Sequence, residues 1–307
     1  MATIRDIARL TGYSVSTISR VINEHPYVDE RKRAEILAVM KELDYIPNAN
    51  ARTLSYGETK NLGVILPYTN HPYFDQLISG ITEAAFDSNY KVTLLPTNYQ
   101  ASREKEYLEE FAAKRFDGLI VTSRAHSLEK LKAYQKYGPI IFCEEIKDEK
   151  SSCVFIDREQ SITEALKFLQ KAGVKKLGVT LGRSSRLSFN SKITLQLCRK
   201  VYSNFEEEMV FWDCIGLEDG VKAGAFFNEH PVDGIFTNSD MVAAGILKTF
   251  PKGRAPKLVG RDNLYVSDLL NFPTIDHHLK QCGEMAFHLF LKRQPEQIKI
   301  PYEFIQR

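Results

Sequence analysis

The 307-residue chain lacks any closely spaced pair of cysteines. Cys143, Cys153, Cys198, Cys214 and Cys282 are scattered and odd in number. That pattern reads as reduced thiols, several buried as small apolar groups, and argues against a zinc site. No segment approaches the roughly 20 apolar residues needed to cross a bilayer. The opening MATIRDIARL is charged early and has neither an apolar h-region nor a small-residue cleavage site, so the chain is expected in the cytoplasm. An excess of one charge is also missing: 41 Lys and Arg stand against 39 Asp and Glu, a net charge of +2. Residues 1–56 carry eight basic and seven acidic side chains, so any contact with nucleic acid must come from arrangement and not from bulk charge.

Catalytic signatures are absent as well. No G-x-G-x-x-G follows a strand pattern, and there is no G-x-x-x-x-G-K-[ST], G-x-S-x-G or H-E-x-x-H. The seven histidines do not cluster at metal-ligand spacing except for His277-His278. Neighbours on a strand point to opposite faces, so that pair is not expected to share a metal. No enzyme activity, metal or cofactor is expected. What remains, 43% hydrophobic and 26% charged residues, is the composition of a globular protein long enough for two or three domains.

The most informative stretch is GYSVSTISRVIN, residues 12–23. Thr3 and Asp6 form a capping start for a first helix with Ile4, Ile7, Ala8 and Leu10 on one face, and Gly12 breaks it. Ser14 can cap a second helix in which Ile18, Val21 and Ile22 recur at helical spacing. Two short helices around a glycine turn form a helix-turn-helix pattern, whose second helix enters the major groove. Compact β-branched residues suit the inner face. Short polar residues on the outer face let the backbone approach DNA. Val15 and Ser16 sit where base contacts concentrate, Ser14, Thr17 and Ser19 can bond phosphates, and Arg20 can pair with guanine. Asp29 opens a third helix with Ile36, Val39, Met40 and Leu43, closing at Asp44-Tyr45 before Pro47. In PNANARTLSYG, Asn48 can cap a short helix carrying Ala51, Arg52 and Leu54 that stops at Gly57. It has too few apolar groups to form alone.

TIRDIARLTGYSVSTISRVIN followed by ELDYIPNANARTL resembles the headpiece and hinge of the lactose-repressor/galactose-repressor family of bacterial transcription regulators. The likeness runs the whole length, and blocks such as HPYVDERKR, VMKELDY, GVILPY and AYQKYGP resemble its members in carbon catabolite control. The resemblance implies a homodimer on a palindromic operator, with Val15, Ser16 and Arg20 reading bases. Thr3, Asn23 and Ala51 join the DNA-facing set, Asn48 and Arg52 lie beside the backbone, and Leu54 is the minor-groove wedge.

From Asn61 onward, apolar runs (NLGVILPY, YKVTLLPTN, FDGLIVTS, GPIIFCEE, CVFIDR, then KKLGVTLG, MVFWDC, DGIFTNS, PKLVGRD) alternate with helical patterns. That alternation means parallel sheets of βαβ units, in two sets and so in two lobes. The expected architecture is an all-α helix-turn-helix headpiece at 1–47 and a hinge at 48–59. An α/β two-lobed domain of the periplasmic-binding-protein type fills 60–307. Its first lobe is expected at about 60–157 with 278–295, and its second at about 158–275 with 298–307. EFIQR resembles the family's closing strand.

Ligands in such sheets bind beyond the carboxyl ends of the strands. Those ends carry TNHPYF, Ser123-Arg124, Glu144-Glu145, Asp157-Arg158, TNSD and GRDN. Asp240 could instead cap the helix that follows it, and Tyr73 and Phe74 could open a helix and pack in the core. The resemblance places effector contacts at Tyr73, Phe74, Ser123, Asp157, Asn238, Asp240 and Asp262; Glu144 belongs to the same mouth. Two departures stand out. Lys192 occupies the place of the family's usual sugar-binding arginine, and Arg261 that of an aromatic. A sugar or sugar phosphate is the expected effector. The family also offers a second route, a serine-phosphorylated phosphocarrier protein gripped by a helix like GEMAFHLFLKR, where His288 stands at the position of an arginine.

Overall fold

The structure is a computed structural model that describes residues 2–46, 57–182 and 189–307. Asn48, Ala51, Arg52 and Leu54 lie outside the described residues. The chain divides into two compact units, Met1–Thr59 and Lys60–Arg307.

The first unit holds three helices among its described residues. Thr3 caps α1 (Ile4–Thr11) in a reciprocal box: its hydroxyl accepts from the Asp6 N–H, and Asp6 Oδ2 accepts from the Thr3 N–H at 2.9 Å. Gly12 ends it at φ +71°, a left-handed turn that glycine makes without strain. Ser14 caps α2 (Val15–Ile22) by accepting from the Thr17 N–H at 3.2 Å, and Asp29 caps α3 (Glu30–Glu42) through the Lys32 N–H at 3.1 Å. Ile7, Ile18, Val21 and Ile36 meet at the centre, each at most 2% exposed. Four side chains make a thin core, worth roughly 2 kcal/mol apiece. The Tyr13 hydroxyl adds a tie from the turn to α3, donating to Glu35 Oε2 at 2.6 Å.

The second unit is built on two six-stranded sheets. In the first, strands run in the order β11-β5-β4-β3-β1-β2: β1 (Asn61–Leu66), β2 (Lys91–Pro96), β3 (Gly118–Val121), β4 (Ile140–Phe142), β5 (Ser152–Ile156) and β11 (Gln297–Ile300). The second has the same plan, β12-β10-β9-β8-β6-β7: β6 (Leu177–Thr180), β7 (Val210–Phe211), β8 (Gly234–Phe236), β9 (Lys257–Arg261), β10 (Thr274–Asp276) and β12 (Glu303–Ile305). All pairs are parallel except β10 with β12. Parallel strands need crossover helices and are covered on both faces, so they read as unbroken apolar runs. β1 and β3 are such runs: Leu62, Val64, Leu119 and Ile120 are fully buried.

The crossovers are α4 (Pro72–Asp87), α5 (Ala101–Ala112) and α6 (Leu128–Lys132) in the first lobe, and α7 (Arg158–Lys171), α8 (Phe189–Val201), α9 (Leu217–Glu229), α10 (Asp240–Leu247) and α11 (Tyr265–Leu269) in the second. The chain then returns to the first lobe in α12 (Leu279–Lys292), whose Phe287 and Phe290 pack into the same core as Leu77 and Ile81. Closely packed helices in each lobe cross at a pair of glycines. A Cβ on Gly80 would lie 1.9 Å from the Lys280 carbonyl, and one on Gly245 2.2 Å from the Leu217 carbonyl.

One expectation about the lobes needs correction. Residues 298–300, assigned from the sequence to the second lobe, belong to β11, which pairs with β5 in the first sheet. The chain therefore passes between lobes after β5, after β10 and again between β11 and β12. The His277-His278 pair also differs from the reading of the sequence: β10 ends at Asp276, so neither histidine is on a strand. Still they diverge, His277 toward Ser161 at 3.2 Å and His278 toward the Pro301 carbonyl at 2.9 Å. All five cysteines are free and buried. Among the described residues no helix is long and apolar enough to cross a membrane.

Candidate functional site

In the first unit, α2 buries Ile18 and Val21 and turns Val15, Ser16 and Arg20 to solvent. Ser16 and Arg20 are one helical turn apart and share a face. Ser14 is exposed too, with its hydroxyl 2.8 Å from that of Ser16 and 2.9 Å from that of Thr17. This hydroxyl cluster sits at the N-terminus of the helix, where backbone N–H groups and the helix dipole favour an anionic phosphate. Ser19 and Asn23 are half-buried and bonded to each other at 3.4 Å. Thr3 is exposed, and its hydroxyl is engaged with Asp6 at 2.7 Å.

The second unit contains a cavity of about 530 Å³ at the carboxyl ends of the strands, between its two lobes. That position is where open α/β sheets bind ligands, and the volume suits a small molecule. Tyr73, Phe74, Ser123, Glu144, Asp157, Asn238 and Asp262 line it, all anticipated from the sequence. Pro72 opens α4 after the capping residue His71, so Tyr73 and Phe74 fall in the first turn. The two readings of this aromatic pair combine. Phe74 is 6% exposed in the first-lobe core and Tyr73 packs beside it, rings 5.0 Å apart, yet both also face the cavity.

The polar side chains in the cavity wall are held by one another. Ser123 donates to the Tyr99 hydroxyl at 3.3 Å. Arg124 is paired with Glu144 and donates to the His126 carbonyl at 2.8 Å. Behind them Glu104, fully buried, accepts from the Ala125 and His126 N–H groups at 2.6 and 2.9 Å. Asp157 caps α7 through the Gln160 N–H at 3.0 Å and is paired with Lys299. Asn238 accepts from Thr180 at 2.7 Å and donates to the Cys214 carbonyl at 2.8 Å. Two bonds bridge the lobes directly: Arg158 donates to the Tyr73 hydroxyl at 2.6 Å, and Gln76 to the Asp262 carbonyl at 3.0 Å.

Two anticipated residues do not reach the cavity. Lys192 is exposed on α8; Asn190, Ser191 and Thr194 line the wall instead. Successive helical residues are about 100° apart, so a neighbour in sequence faces elsewhere. Asp240 is completely buried beneath the β9 turn. Nor does Asp240 cap α10; Ser239 does, accepting from the Met241 N–H at 3.2 Å. Asp240 accepts from the Leu264 N–H at 2.7 Å and the Thr274 hydroxyl at 2.6 Å. A Cβ on Gly260 would lie 2.0 Å from its Oδ1, so glycine there is what lets the carboxyl in. Burial, reinforced by the neighbouring Asp262 charge, raises its pKa to about 7.

These bonds secure an unusual backbone. Asp262 has φ +99°, well outside the regions open to a side-chain-bearing residue, and Asn263 follows at +46°. Asn263 is tied on both sides, donating to Asp276 and accepting from Arg307, each at 3.0 Å. Strain of this kind persists when the surroundings over-determine it, and here it aims Asp262 at the cavity.

Sequence reasoning gave Arg158 and Arg261 little weight. In the sequence both belong to the strand-end group, within Asp157-Arg158 and GRDN, and Arg261 also stands where the family has an aromatic. The guanidinium of Arg261 is buried, 7% exposed, and lies 6.0 Å over the Phe236 ring. A basic residue ending an apolar strand was the available signal.

A helix-turn-helix unit joined to a two-lobed α/β domain with an inter-lobe cavity defines a ligand-responsive DNA-binding regulator. Residues 3–48 match the family described as bacterial regulatory proteins, lacI family. Residues 59–307 match the periplasmic binding proteins and sugar binding domain of the LacI family. Catabolite control protein B of Bacillus subtilis (strain 168) is 42% identical over 307 residues, covering 99% of both chains. The sucrose operon repressor of Pediococcus pentosaceus is 32% identical over 312 residues, covering 94% of this chain and 91% of that protein. The structure of the lac repressor dimer bound to operator and the anti-inducer ONPF superposes with a TM-score of 0.80 at 18% identity, covering 100% of this chain and 98% of that one. The chain belongs to the LacI family. It is a DNA-binding transcriptional repressor with a ligand-binding effector domain, and not an enzyme.

Proposed function

We propose that this repressor acts as a homodimer on a palindromic operator in the bacterial cytoplasm, in carbon catabolite control, and that a carbohydrate-like effector in the inter-lobe cavity sets its affinity. The observation that carries the reading is the wall of the cavity. Arg158 and Asp262 in that wall bond directly to Tyr73 and Gln76 of the other lobe, so a ligand seated there touches residues whose bonds join the lobes. A ligand shifts an equilibrium between two lobe arrangements only by its differential affinity for them.

On the DNA, Val15, Ser16 and Arg20 read the major groove. Ser14, Thr17 and Ser19, with Thr3 and Asn23, serve the backbone. Asn48, Ala51, Arg52 and Leu54 form a hinge that folds against the minor groove, with Leu54 as its wedge. The relatives support this in kind: one is a sucrose operon repressor, another a catabolite control protein, and the lac repressor is a dimer on its operator. Control by a phosphorylated phosphocarrier protein is disfavoured at the surface expected for it. His288 Nε2 lies 3.7 Å from Glu284 Oε1, and that carboxylate would repel a phosphoserine.

The test is selection from a randomised duplex pool at fixed salt, with and without a sugar and sugar-phosphate panel. The reading expects an enriched palindrome whose affinity responds to a small molecule, and a Leu54→Ala variant that binds it weakly and without bending. An unenriched pool would overturn the DNA reading, and normal bending by Leu54→Ala would overturn the hinge.

A further inference from the structure

The cavity wall carries five carboxylates against four cations, yet two of its guanidinium groups stand outside any ion pair among the described residues. Arg124 is paired with Glu144, and Lys299 with Asp157. Arg158 and Arg261 have no such partner among the described residues. Arg158 makes one hydrogen bond, to the neutral Tyr73 hydroxyl at 2.6 Å, and its guanidinium stands 5.5 Å over the same ring. The Arg261 side chain, 93% buried by its 7% exposure, makes none, and its Nε is sealed from solvent without a partner. Asp262, the next residue, is also buried with Oδ2 unpartnered, and it can balance only one of the two guanidinium charges. Burial lowers the Arg261 pKa to about 10, with repulsion from Arg158 adding to it. The remaining lining carboxylates, Glu145 and Glu159, are exposed.

A buried cation left unpaired is among the costliest features a protein can carry. Each guanidinium also presents five N–H donors in a planar fork that matches a phosphate or carboxylate. The hydroxyls of a neutral sugar could accept from those donors but would leave the charge uncompensated.

We infer that the effector is a compact polyol bearing an oxyanion, a phosphoryl or carboxylate group, seated between Arg158 and Arg261. This rests on the reading of the cavity as the effector site. A volume of about 530 Å³ holds a molecule of hexose phosphate size. The Tyr73 hydroxyl and the oxyanion would share the donors of Arg158, so the ligand would act on a bond that joins the lobes.

The experiment uses the full chain, with glucose 6-phosphate, gluconate, glucose and inorganic phosphate as probes at matched ionic strength. Binding is read by calorimetry and by melting temperature. The expected result is that glucose 6-phosphate or gluconate binds at least about tenfold tighter than glucose, and that Arg158→Gln and Arg261→Gln each remove at least about that factor. Arg261→Lys, which keeps the charge, should keep part of the affinity and shows that a loss in Arg261→Gln is not misfolding. Preference between the two anions, with inorganic phosphate as the minimal case, separates a phosphate from a carboxylate source. Glucose binding as tightly as either anion, or anion binding indifferent to both glutamine variants, overturns the inference and leaves the effector cavity standing. Binding of no probe at all overturns the inference, and the response of operator affinity to the wider sugar and sugar-phosphate panel then decides separately whether the effector reading stands.

Discussion

Replacing Asp240 by asparagine should remove a pH dependence from this protein's stability. Asp240 is completely buried, and its carboxyl meets the Leu264 N–H through Oδ2 and the Thr274 hydroxyl through Oδ1. Burial, with the Asp262 charge added, raises its pKa from 3.8 to about 7. Below 3.8 the folded and unfolded states both hold the proton. As pH rises past that value the unfolded chain releases it while the folded one retains it, so folding becomes less favourable until about 7. At about 1.4 kcal/mol per pH unit, that gap corresponds to a total of about 4 kcal/mol, of which roughly 2 kcal/mol is lost between about pH 5 and pH 7.

Asparagine imitates the protonated acid: its carbonyl can accept from Leu264 while its amide donates to Thr274. Asp240→Asn should therefore match the parent only below about pH 3.8, and become the more stable protein by roughly 2 kcal/mol near pH 5 and roughly 4 kcal/mol near pH 7. Trp212, the single tryptophan, packs against the second-lobe core that contains Phe236 and Val259, so its fluorescence in urea reports the relevant unfolding. Parallel pH profiles for the two proteins would refute the reasoning, because Asp240 would then be ionised in the folded state throughout. A loss above about 3 kcal/mol near pH 5 would equally refute it, since the amide could not be standing in for the neutral acid.

Three further changes test other parts of the molecule. Arg20→Ala should relax discrimination at one base pair of each half-site by about 1–3 kcal/mol, measured as affinity ratios against single-base operator variants, with the headpiece fold unchanged by circular dichroism. Gly80→Ala puts a methyl 1.9 Å from the Lys280 carbonyl, so α4 and α12 must separate; a loss of about 1–3 kcal/mol in urea denaturation is expected. Glu104→Gln leaves one carbonyl oxygen where two carboxylate oxygens serve the Ala125 and His126 N–H groups, and the His126 ring lies 2.8 Å from Oε1. The first lobe should lose about 1–3 kcal/mol, read from its melting temperature.

The amino-acid sequence alone was enough for everything governed by local chemistry and short periods. Thr3, Ser14 and Asp29 cap helices because a hydroxyl or carboxylate before a helical pattern finds the free N–H groups of the first turn. Ile18 and Val21 point inward, and Val15 and Arg20 outward, because the helical period leaves them no alternative. The parallel sheets were legible because a strand covered on both faces is an unbroken apolar run. Tyr73, Ser123, Glu144, Asp157 and Asn238 could be named because strand ends come at predictable places and strand ends line clefts.

Only the tertiary structure decided matters that depend on partners far away in the chain. QIKI in β11 could serve either lobe, and it joined the first because β5 offered its free edge there. Lys192 differs from Ser191 by a single position, yet the orientation of α8 sends one to solvent and the other to the cavity. Asp240 and Asp262 look alike as acids at strand ends; the space beside Gly260 drew Asp240 under the turn, and the bonds it makes there hold Asp262 at the cavity. Arg261 reads as the end of a strand, and nothing nearby in sequence tells whether its charge reaches water. Burial and pairing are properties of the whole packed molecule, whereas the helix and strand periods belong to the chain itself.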